Sequence, residues 1–286
     1  MRYSSKQQIA DVLGRRFPAA ESAGFRFEPI SGLSSESWRV SAPGFDGLAR
    51  PQSASGRLSG VDRQREFHLL RQMAAAGLAP RPLLWEKGWL IVEWVPGRVA
   101  TAAEFSALLN NGELARYLAV IHQRPRCGYP LTLPPLFALY WQRMDAGRRS
   151  PALLRLHQHF QRQAPPKPLA VAPLHLDVHA ENLLLTGEKI MLIDWEYAAD
   201  GDIALELAFI ARANQLDAAT QRRFLQRYRQ QRPGFSLADL QRQTERWLPW
   251  VDYLVLMWHE IRWRQTRQDK FLRALAPLRR QLGLNE

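Results

Sequence analysis

Cysteine is almost absent from this chain of 286 residues, and lysine is scarce in it. The single cysteine, Cys127, excludes a disulfide framework and a zinc site built from cysteines. The longest apolar tract near the C-terminus, residues 253–258, is too short to span a bilayer, and the first residues hold no stretch of the signal-peptide type. These absences favour a reducing, cytoplasmic setting.

Arginine carries most of the basic charge, since only five of the 39 basic residues are lysine. The net charge of +12 leaves nucleic acid, an acidic membrane surface or a nucleotide open as partners. One segment, residues 168–211, is acidic instead, with eight carboxylates and a single base, Lys189. Signatures of nucleic-acid-binding folds are absent, so a nucleic-acid-binding protein is the least favoured function class. We expect a monomer that binds neither nucleic acid nor membrane.

Hydrophobic periodicity divides the chain near residue 95 and predicts an α+β fold. The front portion, 1–95, contains short strands over 25–50 and a hairpin over 83–94 whose turn holds Gly88. The back portion, 96–286, is mostly helical, with a strand–loop–strand stretch over 169–194. The predicted helices are 5–17, 61–76, 102–123, 135–147, 150–163, 203–213, 217–231, 236–261 and 267–282.

The stretch 174–197, LHLDVHAENLLLTGEKIMLIDWEY, holds the residues best suited to chemistry. A carboxylate in a loop, Asp177, can accept or orient the proton of an attacking hydroxyl. Asn182 and Asp194 offer the oxygen ligands that Mg²⁺ prefers. The pattern therefore indicates phosphoryl transfer. Other interpretations stay open: a loop aspartate is often only a turn residue, His175 among leucines suits a structural role, and His-x-Asp-x-His can be part of a metal cluster.

The string His175-Leu-Asp177-Val-His179-Ala-Glu-Asn182, followed by Ile193-Asp194-Trp195-Glu196-Tyr197, resembles the aminoglycoside phosphotransferase and choline kinase superfamily. The similarity runs from about residue 31 to 266 and is weak at the front. It implies a bilobal protein-kinase-like fold, with a small antiparallel sheet lobe and a larger, mainly helical lobe, that binds ATP between the lobes with Mg²⁺.

The acceptor that the resemblance implies is a small hydroxylated cation. The motifs look most like the bacterial thiamine kinase branch, which implies phosphorylation of the primary hydroxyl of thiamine. Choline, ethanolamine or an aminoglycoside is the alternative acceptor. Four aromatic residues at near-helical spacing favour core packing, although one or two of them can wall an acceptor pocket. They are Trp247, Trp250, Tyr253 and Trp258.

Specific roles follow from the resemblance, position by position. Asp177 would be the catalytic base, and His175 would brace its loop. Asn182 and Asp194 would bind Mg²⁺. The residues that would face the acceptor are Glu196, His179 and Trp195. The two acids Asp200 and Asp202 are expected to cap the following helix.

The front portion departs from the kinase pattern, which places a lysine on an early strand to hold phosphates. Lys6 and Lys87 are the only lysines before residue 100, and neither is suitably placed. Arg50 falls where that lysine should be, and Glu66 is its candidate partner. The alternative is that Arg50 is an ordinary surface residue. The remaining expected nucleotide contacts are Ser34 and Ser35 in a phosphate-covering loop and Glu93, Trp94 and Val95 at the adenine hinge.

Overall fold

The structure is a computed structural model that describes residues 5–30, 37–187 and 189–284, and the chain divides into two compact units. The first unit holds the described residues up to Arg57, then Val61–Ala100 and Glu181–Glu196. The second holds Leu58–Gly60, Thr101–Ala180 and the chain from Tyr197 onward. The segment 181–196, which the sequence assigned to the helical lobe, therefore packs with the sheet-containing unit.

A five-stranded antiparallel sheet with the order β1-β2-β3-β5-β4 forms the centre of the first unit. Helix α4 begins after Asp62, whose carboxylate accepts the backbone N–H groups of Gln64 and Arg65 as an N-cap. The elements are α1 Ser5–Arg16, α2 Pro18–Ala23, β1 Arg26–Ile30, β2 Ser37–Ala42, β3 Phe45–Pro51, α3 Ala54–Leu58, α4 Arg63–Ala74, β4 Pro82–Glu86 and β5 Trp89–Glu93.

The hairpin of β4 and β5 turns at Lys87 and Gly88, as its sequence predicts. Both residues have positive φ, 49° and 79°, which is the conformation that a two-residue turn between twisted strands requires. Helix α1 covers one face of the sheet because its apolar residues recur at helical spacing. Ile9, Val12 and Leu13 are buried in a cluster that also contains residues of β2, β3 and β5.

A second, three-stranded sheet completes the first unit. Its strands are β6 Arg98–Val99, β8 Leu183–Thr186 and β9 Lys189–Leu192, in the order β6-β8-β9. The hairpin of β8 and β9 pairs Leu183 with Leu192 at its open end. That end of the hairpin positions the residues on either side of it, which include both predicted metal ligands.

The second unit is mainly helical, with one short antiparallel pair of strands, β7 and β10. Gly112, at φ 93°, ends α5 and separates it from α6, so the helix predicted over 102–123 is two helices. The elements are α5 Ala102–Asn111, α6 Glu113–Ile121, α7 Leu133–Arg143, α8 Pro151–Arg162, β7 Val171–Leu174, β10 Ala199–Asp202, α9 Ile203–Ala213, α10 Ala218–Gln231, α11 Leu237–Thr266 and α12 Lys270–Gln281.

The aromatic side chains of α11 form much of the core of this unit. Trp250 stacks on Phe137 at 5.8 Å between ring centroids, and Tyr253 stacks on Phe160 at 4.6 Å. Trp247 is also buried, so three of the four spaced aromatic residues serve core packing. No helix in the described ranges is both long enough and apolar enough to cross a membrane.

Candidate active site

The loop after β7 carries three of the predicted site residues and belongs to the second unit. His175 is fully buried, and its Nδ1 accepts the backbone N–H of Asp177 at 3.3 Å. The imidazole nitrogen facing Asp177 is therefore an acceptor and carries no proton in this hydrogen bond. Leu176 between them has a positive φ of 65°, a conformation that a leucine adopts only when its surroundings impose it.

Glu206, on α9, imposes that conformation from inside the unit. One carboxylate oxygen, Oε1, accepts the backbone N–H groups of both His175 and Leu176, each at 2.7 Å. The other oxygen lies 2.6 Å from Nε2 of His122, whose Nδ1 lies 2.7 Å from the hydroxyl of Tyr228. Burial opposes ionisation, but the hydrogen bonds from His122 and Leu176 hold the pKa of Glu206 below its usual range. An ionised glutamate thus fixes the backbone of the loop.

Glu206 was not among the residues predicted from the sequence, although a signal for a role was present. Glu206 is the single acid within the apolar helix Ile203–Ala213, and seven other residues of that helix are buried. A buried carboxylate needs several hydrogen-bond donors, and the turn of a neighbouring loop can supply them. What the sequence could not identify was the partner, because His122 lies 84 positions away.

The carboxylate of Asp177 remains accessible within this loop. About a third of its side chain is exposed, 34%, and the figure for His179 is 31%. Nε2 of His179 lies 3.4 Å from Oδ1 of Asp177, so the two predicted site residues are neighbours. The loop therefore presents a carboxylate to solvent from a backbone that Glu206 and His175 fix from the interior.

The open end of the β8–β9 hairpin, in the first unit, brings two predicted metal ligands together. The backbone N–H of Ile193 donates to the carbonyl of Asn182 at 3.0 Å and extends the ladder by one bond beyond Leu183 and Leu192. Asn182 and Asp194 consequently lie at the same end of one hairpin. Asp194 also has a positive φ of 63°, which turns its backbone away from the extended path of β9.

The donor chemistry of this pair suits a hard divalent cation. An amide oxygen and a carboxylate oxygen are ligands that Mg²⁺ accepts, and Mg²⁺ keeps several waters. Throughout the described portion of the chain, no three His, Cys, Asp or Glu side chains are grouped in a way that would hold a metal ion. A magnesium site would thus rest on Asn182 and Asp194 with water.

Arg50 lies on β3, as expected, and its guanidinium contacts three carboxylates. It donates to Glu66 on α4 at 2.7 Å, to Glu196 at 3.2 Å and to Asp194. Arg50 is buried, so it is not the surface residue of the alternative interpretation. Burial acts to lower the pKa of Arg50, but the carboxylates of Asp194, Glu66 and Glu196 outweigh it and raise the pKa, so the guanidinium stays charged.

Two of the residues expected to face the acceptor have other partners. The carboxylate of Glu196 accepts from Arg50 and, at 2.9 Å, from Arg63. Burial and the negative charge of Asp194 raise the pKa of Glu196 to about 7, while Arg50 and Arg63 act in the opposite direction. Trp195 is 1% exposed, and its indole N–H donates to the carbonyl of Leu192 at 2.9 Å. Glu196 thus binds two arginines and Trp195 is packed in the interior, and contact of either residue with an acceptor stays a prediction.

The remaining predicted nucleotide contacts are the residues of the adenine hinge and of the phosphate-covering loop. The carboxylate of Glu93 accepts the backbone N–H of Arg81 at 2.7 Å. The backbone N–H of Trp94 donates to the carbonyl of Asp46 at 3.0 Å, and Val95 is half-buried. Ser34 and Ser35 lie outside the described residues. Glu93 and Trp94 therefore hold the end of β5 in place, and contact of the hinge residues with adenine stays a prediction.

The two acids expected to cap a helix divide between two roles. Asp202 is the N-cap of α9, accepting from the backbone N–H of Ala204 at 3.3 Å, and it also accepts from the indole N–H of Trp247 at 2.7 Å. Asp200 caps no helix. Its carboxylate instead accepts the backbone N–H groups of residues 127–129 at 2.7 to 3.1 Å, so the expectation was wrong for Asp200.

Comparison with known proteins defines the class to which the chain belongs. Residues 28–240 match the model of the phosphotransferase enzyme family, so the chain is a member of that family. Choline kinase LicA from Streptococcus pneumoniae has the same fold, with a TM-score of 0.75, 14% identity, and coverage of 98% of this chain and 99% of that one. A macrolide 2'-phosphotransferase from Brachybacterium faecium aligns with a TM-score of 0.59 and 17% identity over 95% and 97% of the two chains. These likenesses confirm the kinase-like α+β fold.

Sequence similarity is closer to one kind of kinase within this class. The thiamine kinase of Escherichia coli O139:H28 is 39% identical over 281 residues, which is 96% of each chain. The thiamine kinase of Shigella flexneri is 39% identical over the same share. The resemblance that the motifs indicated is therefore confirmed along nearly the whole chain.

Proposed function

We propose that this chain transfers the γ-phosphoryl group of ATP to the primary hydroxyl of thiamine. The observation that carries the chemistry is the accessible carboxylate of Asp177 on a loop whose backbone a buried glutamate fixes. The observation that carries the acceptor is the 39% identity to thiamine kinases over 96% of the chain. Membership of the phosphotransferase enzyme family agrees with both.

Asp177 would act as the base of the reaction. The hydroxyl oxygen of the acceptor attacks the γ-phosphorus, the bond from phosphorus to the leaving ADP oxygen breaks, and the hydroxyl proton passes to Asp177. A carboxylate suits this task because it orients the hydroxyl before attack and accepts its proton as the new bond forms. His175 and Glu206 would contribute by keeping the carboxylate in one orientation.

Asn182 and Asp194 would hold Mg²⁺ at the open end of the β8–β9 hairpin. When bound there, the ion neutralises negative charge on the phosphates. The chain's own contribution is the alignment of the two ligands, since the hydrogen bond between residues 193 and 182 keeps them at the same end of the hairpin.

Arg50 would take the role that a strand lysine has in protein kinases. Its guanidinium is permanently charged and offers several N–H donors in a planar fork, which matches phosphate oxygens. The pair with Glu66 supports this assignment, because it joins the expected strand to the expected helix at 2.7 Å. Phosphate oxygens would then replace one of the carboxylates that Arg50 now contacts.

The test is phosphorylation of a panel of acceptors by the purified protein with ATP and Mg²⁺. We expect turnover with thiamine that exceeds turnover with choline, ethanolamine and kanamycin. ADP release that depends on choline or kanamycin and not on thiamine would overturn the acceptor. A control with Asp177→Ala distinguishes acceptor-dependent turnover from contaminating ATPase activity.

A further inference from the structure

Arg63 closes a ring of buried charges in the first unit and was not among the predicted site residues. Its guanidinium donates to Oε2 of Glu66 at 2.5 Å and to Oε2 of Glu196 at 2.9 Å. Arg50 contacts the same two glutamates, at 2.7 and 3.2 Å. We call these four residues, Arg50, Glu66, Arg63 and Glu196, the charge ring. It joins strand β3, helix α4 and the segment after β9.

The position of Arg63 is fixed by contacts outside the ring. Its backbone N–H donates to the side-chain oxygen of Gln52 at 2.6 Å, and its Nε lies 3.5 Å from the carbonyl of Pro51. The side chains of Arg63 and Glu66 are 4% and 1% exposed. Arg63 is therefore held at the end of β3 independently of any nucleotide.

Arg63 supplies one of the two positive charges that face the carboxylates of the ring. Glu66, Glu196 and the adjoining Asp194 place three carboxyl groups against the two guanidinium groups of Arg50 and Arg63. If Arg63 were neutral, the single charge of Arg50 would face all three carboxylates. A buried carboxylate without a cation is strongly unfavourable, so Arg50 could not leave one for another partner.

We propose that Arg63 is a positioning residue for nucleotide binding, as the permanent counter-ion of Glu66 and Glu196. The proposal rests on the proposed function, in which Arg50 holds phosphate oxygens. When a phosphate oxygen replaces Glu196 as an acceptor of Arg50, Glu196 keeps the hydrogen bond from Arg63. Arg63 thus lets Arg50 exchange partners without leaving a buried charge unpaired.

A purely structural role for Arg63 predicts a different result from the proposed positioning role. Loss of a structural ion pair lowers stability and leaves the affinity of the folded protein for every ligand unchanged. If Arg63 has the proposed role, its loss weakens the binding of only those ligands that carry phosphate. ADP and adenosine therefore separate the two roles, because they share the base and the sugar and differ in the phosphates.

The experiment measures ADP and adenosine binding to the full chain by isothermal titration calorimetry with Mg²⁺ present. We expect Arg63→Met to weaken ADP binding at least tenfold, about 1.4 kcal/mol, and to change adenosine binding less than twofold. Wild-type ADP affinity in folded Arg63→Met, or an equal loss for both ligands, would overturn the proposal. Absence of ADP binding by the wild-type protein would instead overturn the proposed function itself.

Arg148→Met is the matched control. Arg148 donates to the buried Glu260 in the second unit, and Glu260 keeps Arg279 at 2.9 Å when Arg148 is lost. The variant thus removes one of two arginines from a buried glutamate, as Arg63→Met does. We expect a similar loss of stability and unchanged affinity for ADP, and a tenfold loss of ADP affinity here would contradict the argument.

A double variant keeps the proposal testable where Arg63→Met does not fold. Glu196→Gln removes the carboxylate that Arg50 would release to phosphate, and Glu66 keeps Arg50 as a cation at 2.7 Å. Arg63→Met should therefore matter little in that background. We expect Arg63→Met/Glu196→Gln to bind ADP within about threefold of Glu196→Gln alone, a difference of about 0.7 kcal/mol. A tenfold difference between these two variants would show that Arg63 does not act through Glu196.

Discussion

Replacing Glu206 by leucine removes an acceptor of three hydrogen bonds from the interior of the second unit. The backbone N–H groups of His175 and Leu176 donate to its carboxylate at 2.7 Å each, and Nε2 of His122 lies at 2.6 Å. Leucine fills much of the same volume but accepts nothing. All three donors would be left in the protein interior, away from water, without their acceptor.

The cost follows from the number of donors. Each buried donor that loses its partner destabilises the folded state by about 1–3 kcal/mol, so three donors imply about 3–9 kcal/mol. A typical folded domain is stable by about 5–15 kcal/mol, so the loss is a large share of the total. Glu206→Gln keeps one oxygen for the two backbone N–H groups, and its amide can donate to the other tautomer of His122. We expect the glutamine variant to lose only about 1–3 kcal/mol.

Urea unfolding followed by tryptophan fluorescence measures these differences, and thiamine turnover of the folded variants measures the effect on the loop. Glu260→Gln is the control, because Glu260 is equally buried but pairs with Arg148 and Arg279 instead of the loop. We expect it to lower stability without changing kcat, whereas Glu206→Gln should lower both. A leucine variant at position 206 within 1 kcal/mol of wild type would refute the reasoning.

The difference in stability between wild type and Glu206→Gln should depend on pH in a definite direction. Burial acts against ionisation, but the hydrogen bonds of Glu206 lower its pKa in the folded protein below the unfolded value of about 4.3. The unfolded chain therefore binds the proton more readily, and stability from Glu206 is lost as pH falls through the folded pKa. We expect the stability gap between wild type and Glu206→Gln to be constant above about pH 5 and to narrow below it.

Three further predictions address other parts of the account. Asp177→Ala should lower kcat about 10²–10⁴-fold and leave ADP affinity unchanged, and a variant with wild-type turnover would contradict its role as base. Arg50→Met should weaken ADP binding and spare adenosine binding, as measured by calorimetry, and equal affinities for wild type and variant would exclude a phosphate contact. Burial, with a smaller effect from Asp200, raises the pKa of the Cys127 thiol to about 12. A disulfide reagent at pH 8 should therefore modify Cys127 far more slowly in the folded protein than in urea, and equal rates would refute this prediction.

Local patterns predicted most of the secondary structure correctly. The turn at Gly88 and the apolar periodicity of α1 and α11 act within a few residues, so a single sequence reveals them. Short elements without such patterns were missed. Strand β10, Ala199–Asp202, contains two acids and a glycine and pairs with β7 only because the chain returns beside it. Its strand conformation comes from tertiary pairing and not from propensity.

The candidate site was predictable where a motif is contiguous and less so where partners come from distant elements. The loop of Asp177 and the proposed ligand pair Asn182 and Asp194 lie within one stretch of sequence. The scarcity of lysine indicated Arg50, and the structure then placed it against Glu66. Glu206 and Arg63 were not predicted, because each contacts a residue far away in the sequence. Glu206 contacts His175, 31 positions away, and Arg63 contacts Glu196, 133 positions away. Burial and pairing, which decide whether such charges matter, are properties of the folded chain.

The most direct test of the central claim is the identity of the product. The protein is incubated with ATP, Mg²⁺ and equimolar thiamine, choline, ethanolamine and kanamycin. The phosphorylated products are then separated and identified by mass spectrometry. We expect thiamine monophosphate as the main product with wild-type protein, and formation of it about 10²–10⁴-fold slower with Asp177→Ala. Phosphorylation of another acceptor in preference to thiamine would contradict the account.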